Sequence, residues 1–310
     1  MHEVQILKDS ISNRGHRLTT FEVKLPRIVL AELNTHCMFG RNSASSRAIP
    51  VQKMLRMVME DPYIPSEWGK NQKGMQAEEE VIAAIAAESE LEWLRARDSA
   101  VRHAQSLLEL GIHKQLTNRL LEPFMWHTVI ITATDYWNFF HLRNDKHAHP
   151  DIRIPAAMMQ RMYEECEPDE VDEGGWHLPL VQDSESQIDL ESLIQISTGR
   201  CTRISYLTHD GVRDVSADVE LHDKILGNGH MSPLEHEARA MDDDEYENLF
   251  CQDKMHWVGT PTSGEWVLTE DDDGAPMKTH YCAKLNGWVQ YRKLIKGEED
   301  YALVLRERAG

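Results

Sequence analysis

Residues 18–25 alternate: Phe21, Val23 and Leu25 point one way, and Thr20, Glu22 and Lys24 the other. A period of two describes a half-buried strand. Pro26 ends it and suits the first turn of a helix carrying Val29, Leu30 and Leu33. This switch from period two to helical spacing commits the start of the chain to a strand packed on helices. The rest of the chain extends the pattern. Apolar residues from Met75 to Leu110, including Val81, Ile82, Ile85, Leu91, Leu94, Val101 and Leu108, predict one or two helices ending at Gly111. Phe124 to Phe140 predicts a buried helix whose last turn presents Asn138 and Arg143. Pro155 to Cys166 predicts another, with its Met-rich face inward. The expected class is α+β, rich in helix, with a small, mostly antiparallel sheet.

With 310 residues and 41% apolar content, the chain can fill a substantial core. Residues 1–166 read as one core and 167–190 as a linker, with Gly174-Gly175, Pro179 and a Gln-Asp-Ser-Glu-Ser run. The remainder, 191–310, carries short helices at Ser192–Thr198 and His222–Leu226 and is expected to pack into the same domain. The net charge of −19 discourages non-specific contact with nucleic acid or an anionic membrane, but permits a locally basic pocket for a small phosphorylated ligand. The cysteines, Cys37, Cys166, Cys201, Cys251 and Cys282, form no C-x-x-C pair and read as reduced thiols. No basic segment followed by an apolar run opens the chain, so a cytoplasmic location without a membrane partner is expected.

Two polar segments carry chemistry. The first, Asn34-Thr-His-Cys-Met-Phe-Gly-Arg-Asn-Ser-Ala-Ser-Ser-Arg47, offers the hydroxyls of Ser43, Ser45 and Ser46 and the forked cation of Arg47. Hydroxyls beside one arginine suit a phosphate monoester. Read alone, it is also an ordinary polar turn after a helix. The second holds Asn138 and Arg143, then His147, His149 and Asp151. Its histidines suggest either a metal site or, better matched to a helix terminus, partners for a C-terminal dipole; no metal is expected. The Glu270-Asp-Asp-Asp-Gly274 run lacks the spaced ligands of a calcium loop and reads as a hairpin turn. Trp288 to Ile295 reads as an amphipathic basic segment for packing or oligomer contact.

Taken together and in this order, the segments resemble the flavin-dependent thymidylate synthase family, whose motif has the form R-H-R-x-x-S-x-N-E-x-S-x-R. Its His falls on His36, its Asn on Asn42, its second Ser on Ser45 and its last Arg on Arg47. The family's N-x-x-x-x-R element matches Asn138 to Arg143, and its H-A-Q-x-E-I element becomes His147-Ala-His149-Pro-Asp151-Ile152. An Arg four residues before a Pro is matched by Arg119 and Pro123. The G-H-x-S-P-F-E-H element, normally N-terminal, appears late as Gly229-His-Met-Ser-Pro-Leu-Glu-His236, after Arg203-Ile-Ser-Tyr206. That order is read as a circular permutation; by itself, Ser232 before Pro233 also reads as a helix N-cap.

The resemblance implies FAD as cofactor, with NADPH and methylenetetrahydrofolate as co-substrates. A one-carbon unit would pass to C5 of a deoxypyrimidine monophosphate, dUMP by default, without a cysteine nucleophile. It implies that Ser45, Arg47 and Arg119 hold the 5′-phosphate and sugar. Arg143 would bond the pyrimidine ring, and Arg143 and Ser45 are the catalytic candidates. His36, Asn42, Asn138, His230, Ser232 and Glu235 would bind the cofactor, within a homo-oligomer, a tetramer in the family. The chain departs from the pattern at Thr35 and Cys37 in place of the first two motif arginines, at Gly40 and Ser43, and at His149 and Asp151. Cys37 is expected as a core thiol. The nucleotide half is better preserved than the flavin half. Alternatives are a relative that hydroxymethylates or uses dCMP for modified DNA, and a nucleotide-binding homologue without catalysis.

Overall fold

The computed structural model describes residues 1–74, 76–206, 214–250, 255–257, 267–270, 276–278 and 284–295. The first half runs β1 (Glu3–Ser12), β2 (Arg17–Pro26), α1 (Leu30–Asn34), β3 (Gly40–Ser43), α2 (Val51–Glu60), α3 (Ala83–Glu109), α4 (Lys114–Thr117), β4 (Trp126–Ala133), α5 (Trp137–Arg143) and α6 (Pro150–Glu165). The second half runs β5 (Asp169–Val171), β6 (Trp176–His177), α7 (Leu190–Tyr206), α8 (Val215–Gly227), β7 (Ala238–Ala240), α9 (Asp243–Phe250), β8 (Met255–Trp257), β9 (Val267–Glu270), β10 (Pro276–Lys278), β11 (Trp288–Gln290) and α10 (Tyr291–Leu294). The α+β class is as the sequence indicates.

The alternating segment is β2, and it lies inside a five-stranded sheet of order β3-β4-β2-β1-β5. Every pairing in that sheet is antiparallel except β1 with β5. On one face Phe21, Val23 and Leu25 join Val129 and Ile131 of β4 and pack against Phe139 and Phe140 of α5 and Ile152, Ala156 and Met159 of α6. The other face is buried as well, with Thr20, Ile130 and Thr132 all inaccessible to solvent. Ile130 meets Cys201 and Ile204 of α7 there.

Burial on both faces explains the main misreading of the sequence. Phe124 to Phe140 is not one buried helix: β4 occupies 126–133 and α5 begins only at Trp137. A strand covered on both sides shows a continuous apolar run rather than alternation, and the β-branched Thr128 to Thr132 stretch favours the strand. Residues 167–190, expected as a linker, contribute β5 and β6, and β6 pairs with β7 in a second sheet of order β11-β7-β6. Trp288 to Ile295 is likewise split, because the β11 backbone pairs with β7 before the four-residue α10 begins. The expected helices at 192–198 and 222–226 lie within the longer α7 and α8. Helix α3 has Ala104 as its one buried residue among those described, while Ile82, Ile85 and Leu91 face solvent.

β9 and β10 pair antiparallel on either side of 271–275; the acidic residues 271–273 with Gly274, like Cys251 and Cys282, lie outside the described residues. Cys201 is buried, but Cys37, expected as a core thiol, is exposed. Among the described residues, no helix is long and apolar enough to cross a membrane.

Helices α7 and α8 touch at Gly199, where an added Cβ would lie 2.3 Å from the Asp218 carbonyl oxygen. The adjoining Arg200 is 2% exposed and bonds Asp218 Oδ2 at 2.9 Å and Glu185 Oε1 at 2.6 Å. Gly199→Ala is therefore expected to force the helices apart and strain a buried ion-pair network, at a cost of roughly 2–4 kcal/mol. Urea denaturation measures it, and a loss below about 0.5 kcal/mol would show that the contact relaxes freely.

Candidate active site

The site grows from β3 and the turns at its two ends. At the first, α1 stops at Asn34 and the chain turns through Thr35 and His36. Helix α5 crosses this turn, and Phe139 and Arg143, one helical turn apart, share a face. Phe139 meets the His36 ring edge-on with centroids 5.0 Å apart, and Phe39 stacks on it at 5.7 Å. Arg143 Nε donates to His36 Nε2 at 3.0 Å, and its terminal nitrogen donates to the Glu32 carbonyl at 3.2 Å and Thr35 Oγ1 at 3.0 Å. Burial, then the Arg143 and Arg41 guanidiniums, push His36 down to about 4. At neutral pH His36 is therefore an uncharged acceptor, and Arg143 is the cation of the pair.

At the far end, the chain turns through Ser45, Ser46 and Arg47. Asn118 ties this turn down, its Nδ2 donating to the Ser46 carbonyl at 2.7 Å and the Ile49 carbonyl at 2.9 Å. Glu122 Oε1 accepts from Ser46 Oγ at 2.5 Å and from Arg119 Nη1 at 2.7 Å, and Arg27 Nη2 stands 3.7 Å away. Arg47 is exposed and Ser45 half-buried, and neither side chain makes a hydrogen bond among the described residues. Arg27 and Arg119 thus meet at Glu122 beside a turn that carries Arg47 and the unengaged Ser45 hydroxyl, in a chain whose overall charge is strongly negative.

The late element arrives at the middle of the site. Gly229, at φ +69°, closes α8: its N–H bonds the Leu226 carbonyl at 2.9 Å, and the His230 N–H bonds Ile225 at 2.9 Å. That is a Schellman stop, which needs a left-handed residue and explains the glycine. A short 3-10 turn, Ser232–Glu235, follows, with Pro233 in its first turn. Ser232 is inside this turn and makes no side-chain cap, contrary to the N-cap reading. Glu235 packs against β3: a Cβ on Gly40 would sit 3.0 Å from the Glu235 carbonyl oxygen. A serine at position 40, as in the motif, would press on that backbone. Glu235 Oε1 accepts from Arg292 at 2.6 Å.

Behind the site, buried hydroxyls and imidazoles form a continuous chain. Ser10 Oγ meets His177 Nδ1 at 2.9 Å, His177 Nε2 meets Thr20 Oγ1 at 2.8 Å, Thr20 meets Thr132 Oγ1 at 2.7 Å, and Thr132 meets His236 Nδ1 at 2.8 Å. Burial holds His236 down to about 3 and His177 well below its ordinary value. Neighbouring Glu237, fully buried beside Ser197, is pushed up to about 7.

The structure therefore joins His36 to Arg143, joins Ser46 to Arg119 through Glu122, and sets Glu235 against Gly40. Asn42 is committed elsewhere, its Nδ2 donating to the Cys201 carbonyl at 3.2 Å. Asn138, His230 and Ser232 are exposed and make no side-chain hydrogen bond among the described residues. The histidines after α5 make local contacts rather than serving a C-terminal dipole: His147 Nδ1 meets Asp145 Oδ1 at 2.8 Å, and His149 serves the next helix. His149 caps α6 by accepting the Asp151 N–H at 3.2 Å, and buried Asp151 accepts the Tyr63 hydroxyl at 2.6 Å. Among the described residues, no cluster of His, Cys, Asp and Glu is arranged to hold a metal. In the sequence Thr35 shows only as a departure from the motif, and Glu122 goes unnoticed; three residues after Arg119, it is legible only as a local ion pair.

A family model described as thymidylate synthase complementing protein matches residues 12–169, and the chain belongs to that family. The match contains both polar segments and Arg119, while Gly229–His236 lies beyond it. Among solved structures, a UMP/dUMP methylase PolB from Streptomyces cacaoi bound with 5-Br UMP is similar at 16% identity and a TM-score of 0.42, covering 53% of this chain and 89% of that one. The same methylase bound with 5-Br dUMP is similar at 18% identity and a TM-score of 0.40, covering 48% of this chain and 68% of that one. No curated protein sequence matches the chain.

Proposed function

We propose that this chain is an FAD-dependent enzyme that transfers a one-carbon unit from methylenetetrahydrofolate to C5 of a deoxypyrimidine monophosphate, dUMP by default, with NADPH as reductant. The observation that carries this reading is the convergence of distant motif residues on β3 and its turns: Arg143 on His36, Arg119 on Ser46 through Glu122, and Glu235 on Gly40. In this reading Ser45, Arg47 and Arg119 take the 5′-phosphate. Arg143 donates to the pyrimidine ring and stabilises negative charge that develops on it. The late position of Gly229–His236, packed where the first motif needs it, supports a circularly permuted order.

The donor set fits a flavin, with one change of means. His36, Asn138, His230 and Ser232 would hold it, the last three with unengaged side chains; Asn42 would contribute only its carbonyl oxygen, and Glu235 is charge-balanced by Arg292. The first two arginines of the family motif are absent, but Arg41 and Arg143 both stand close enough to His36 to depress its protonation. Arg41 would serve an electron-rich ring in their place, while Arg143 serves the pyrimidine. Bound FAD would supply the one-carbon relay and hydride chemistry, while the chain positions the nucleotide and excludes water. A homo-oligomer is part of this reading, supported by the exposed Ile85 and Leu91 on α3 and Ile82 just before it, as is a cytoplasmic location.

The visible spectrum of purified protein, with and without added FAD, is the first test. Absence of a flavin band together with absence of binding by titration would leave only nucleotide binding without catalysis. If flavin binds, mass analysis after incubation with dUMP or dCMP, methylenetetrahydrofolate and NADPH separates methyl from hydroxymethyl product. The second reading, hydroxymethylation or use of dCMP, is favoured by Thr35 and Cys37, which replace cations where the one-carbon intermediate would be handled.

A further inference from the structure

Ser46 and Arg119 share one anchor. Glu122 is mostly buried, with its side chain 18% exposed, beneath an Arg119 side chain that is 47% exposed. A single oxygen, Oε1, takes the Ser46 hydroxyl at 2.5 Å and Arg119 Nη1 at 2.7 Å, and Arg27 balances the charge from 3.7 Å. Asn118 clamps the same turn from its backbone side, and the Ala48 N–H closes it on the Ser45 carbonyl at 2.9 Å. Glu122 itself is fixed, because its carbonyl accepts the Met125 N–H at 3.3 Å and Pro123 follows it.

We propose that Glu122 is a positioning residue for the nucleotide phosphate, acting through Arg119 and Ser46. An arginine has five N–H donors in a rigid fork. Held by Glu122 at one nitrogen, Arg119 keeps its remaining donors for an outward partner and has already lost much of its rotamer freedom before a ligand arrives. Bonding Ser46 to the same oxygen fixes the neighbouring Ser45 and Arg47 relative to Arg119, so the donors are presented together. The guanidinium is the more exposed of the two groups, so it is the one an incoming anion meets first. This inference rests on the reading above that Ser45, Arg47 and Arg119 face the 5′-phosphate.

The test is dUMP affinity of the full chain by isothermal titration in Glu122→Ala, Glu122→Gln, Arg119→Ala, Arg143→Ala and the double variants, with thermal melting as the check on folding. Glu122→Ala is expected to weaken dUMP binding about 10- to 50-fold, the scale of losing one charge-assisted hydrogen-bond partner. Glu122→Gln, which keeps an acceptor, is expected to fall between it and the parent, and serves if Glu122→Ala does not fold. Adding either Glu122 variant to Arg119→Ala should cost little more than Arg119→Ala alone, whereas adding it to Arg143→Ala should multiply the losses. Full multiplicativity with Arg119→Ala would overturn the proposal, as would unchanged dUMP affinity or tighter binding in Glu122→Gln. Unchanged affinity in Arg119→Ala would instead remove the phosphate reading of the site itself.

Discussion

Arg143→Ala is expected to lower turnover of dUMP by at least roughly 10²–10³-fold, the usual loss on removing a donor aimed at developing charge, while the FAD absorbance is retained. The structure gives this expectation a specific form. Arg143 is the last residue of α5 and bonds three groups at the end of α1: His36 Nε2, the Glu32 carbonyl and Thr35 Oγ1. Its removal leaves the 9%-exposed His36 without its donor, which costs about 1–3 kcal/mol of stability. Melting should therefore fall modestly while catalysis falls far more. Arg143→Lys keeps the charge but not the fork, so it cannot serve His36 and Thr35 together; it should recover stability better than activity. Steady-state kinetics beside flavin absorbance separates these effects, and unchanged turnover in Arg143→Ala would take the residue out of the site.

Stability is expected to fall steeply in acid, between about pH 6.5 and pH 3. Burial holds His236 and His127 down to about 3, with Arg27 adding to the depression of His127, and holds His177 lower than its ordinary 6.5. In the unfolded chain each binds a proton below its ordinary value, while in the folded chain each does not. Unfolding then takes up protons, so stability is lost as pH falls, by about 1.4 kcal/mol per pH unit for each histidine. Glu237 works in the opposite direction. Raised to about 7, it holds a proton in the folded state that the unfolded state releases, so between about pH 4.5 and 7 it favours folding as pH falls. It offsets one histidine of four, since His36 is likewise held down to about 4, leaving a net uptake of about three protons between pH 6 and 5. Urea midpoints at pH 5, 6 and 7.5 with a constant m-value would read this slope. His236→Gln keeps a polar partner for Thr132 and should reduce the slope by about one proton. A midpoint independent of pH across this range would mean that the histidines are not held neutral.

How much the sequence reveals depends on whether a local pattern or a distant partner carries the information. β2 is legible because one of its faces meets a uniformly apolar layer, leaving a clean alternation from Thr20 to Leu25. β4 is not, because α5 and α6 cover one side and α7 the other, which erases the alternation. The stop at Gly229 has a local cause in the left-handed turn after α8. By contrast, nothing near Glu122 in sequence shows that it receives the Ser46 hydroxyl. Asn42, prominent in the motif, turns out to be bonded to the end of a helix that begins at Leu190.

The sequence by itself determined the family and the chemical inventory, because motif spacing fixes which donors and cations the chain can bring to a nucleotide. The tertiary structure decided their pairing. Arg143 meets His36, Arg119 meets Ser46 across Glu122, and the late Glu235 meets Gly40 beside β3. Periodicity states which face of a segment must be buried; it carries no information on which segment will cover it. That choice is made by packing across the whole chain, and the site's hydrogen bonds form between side chains that packing has already brought together.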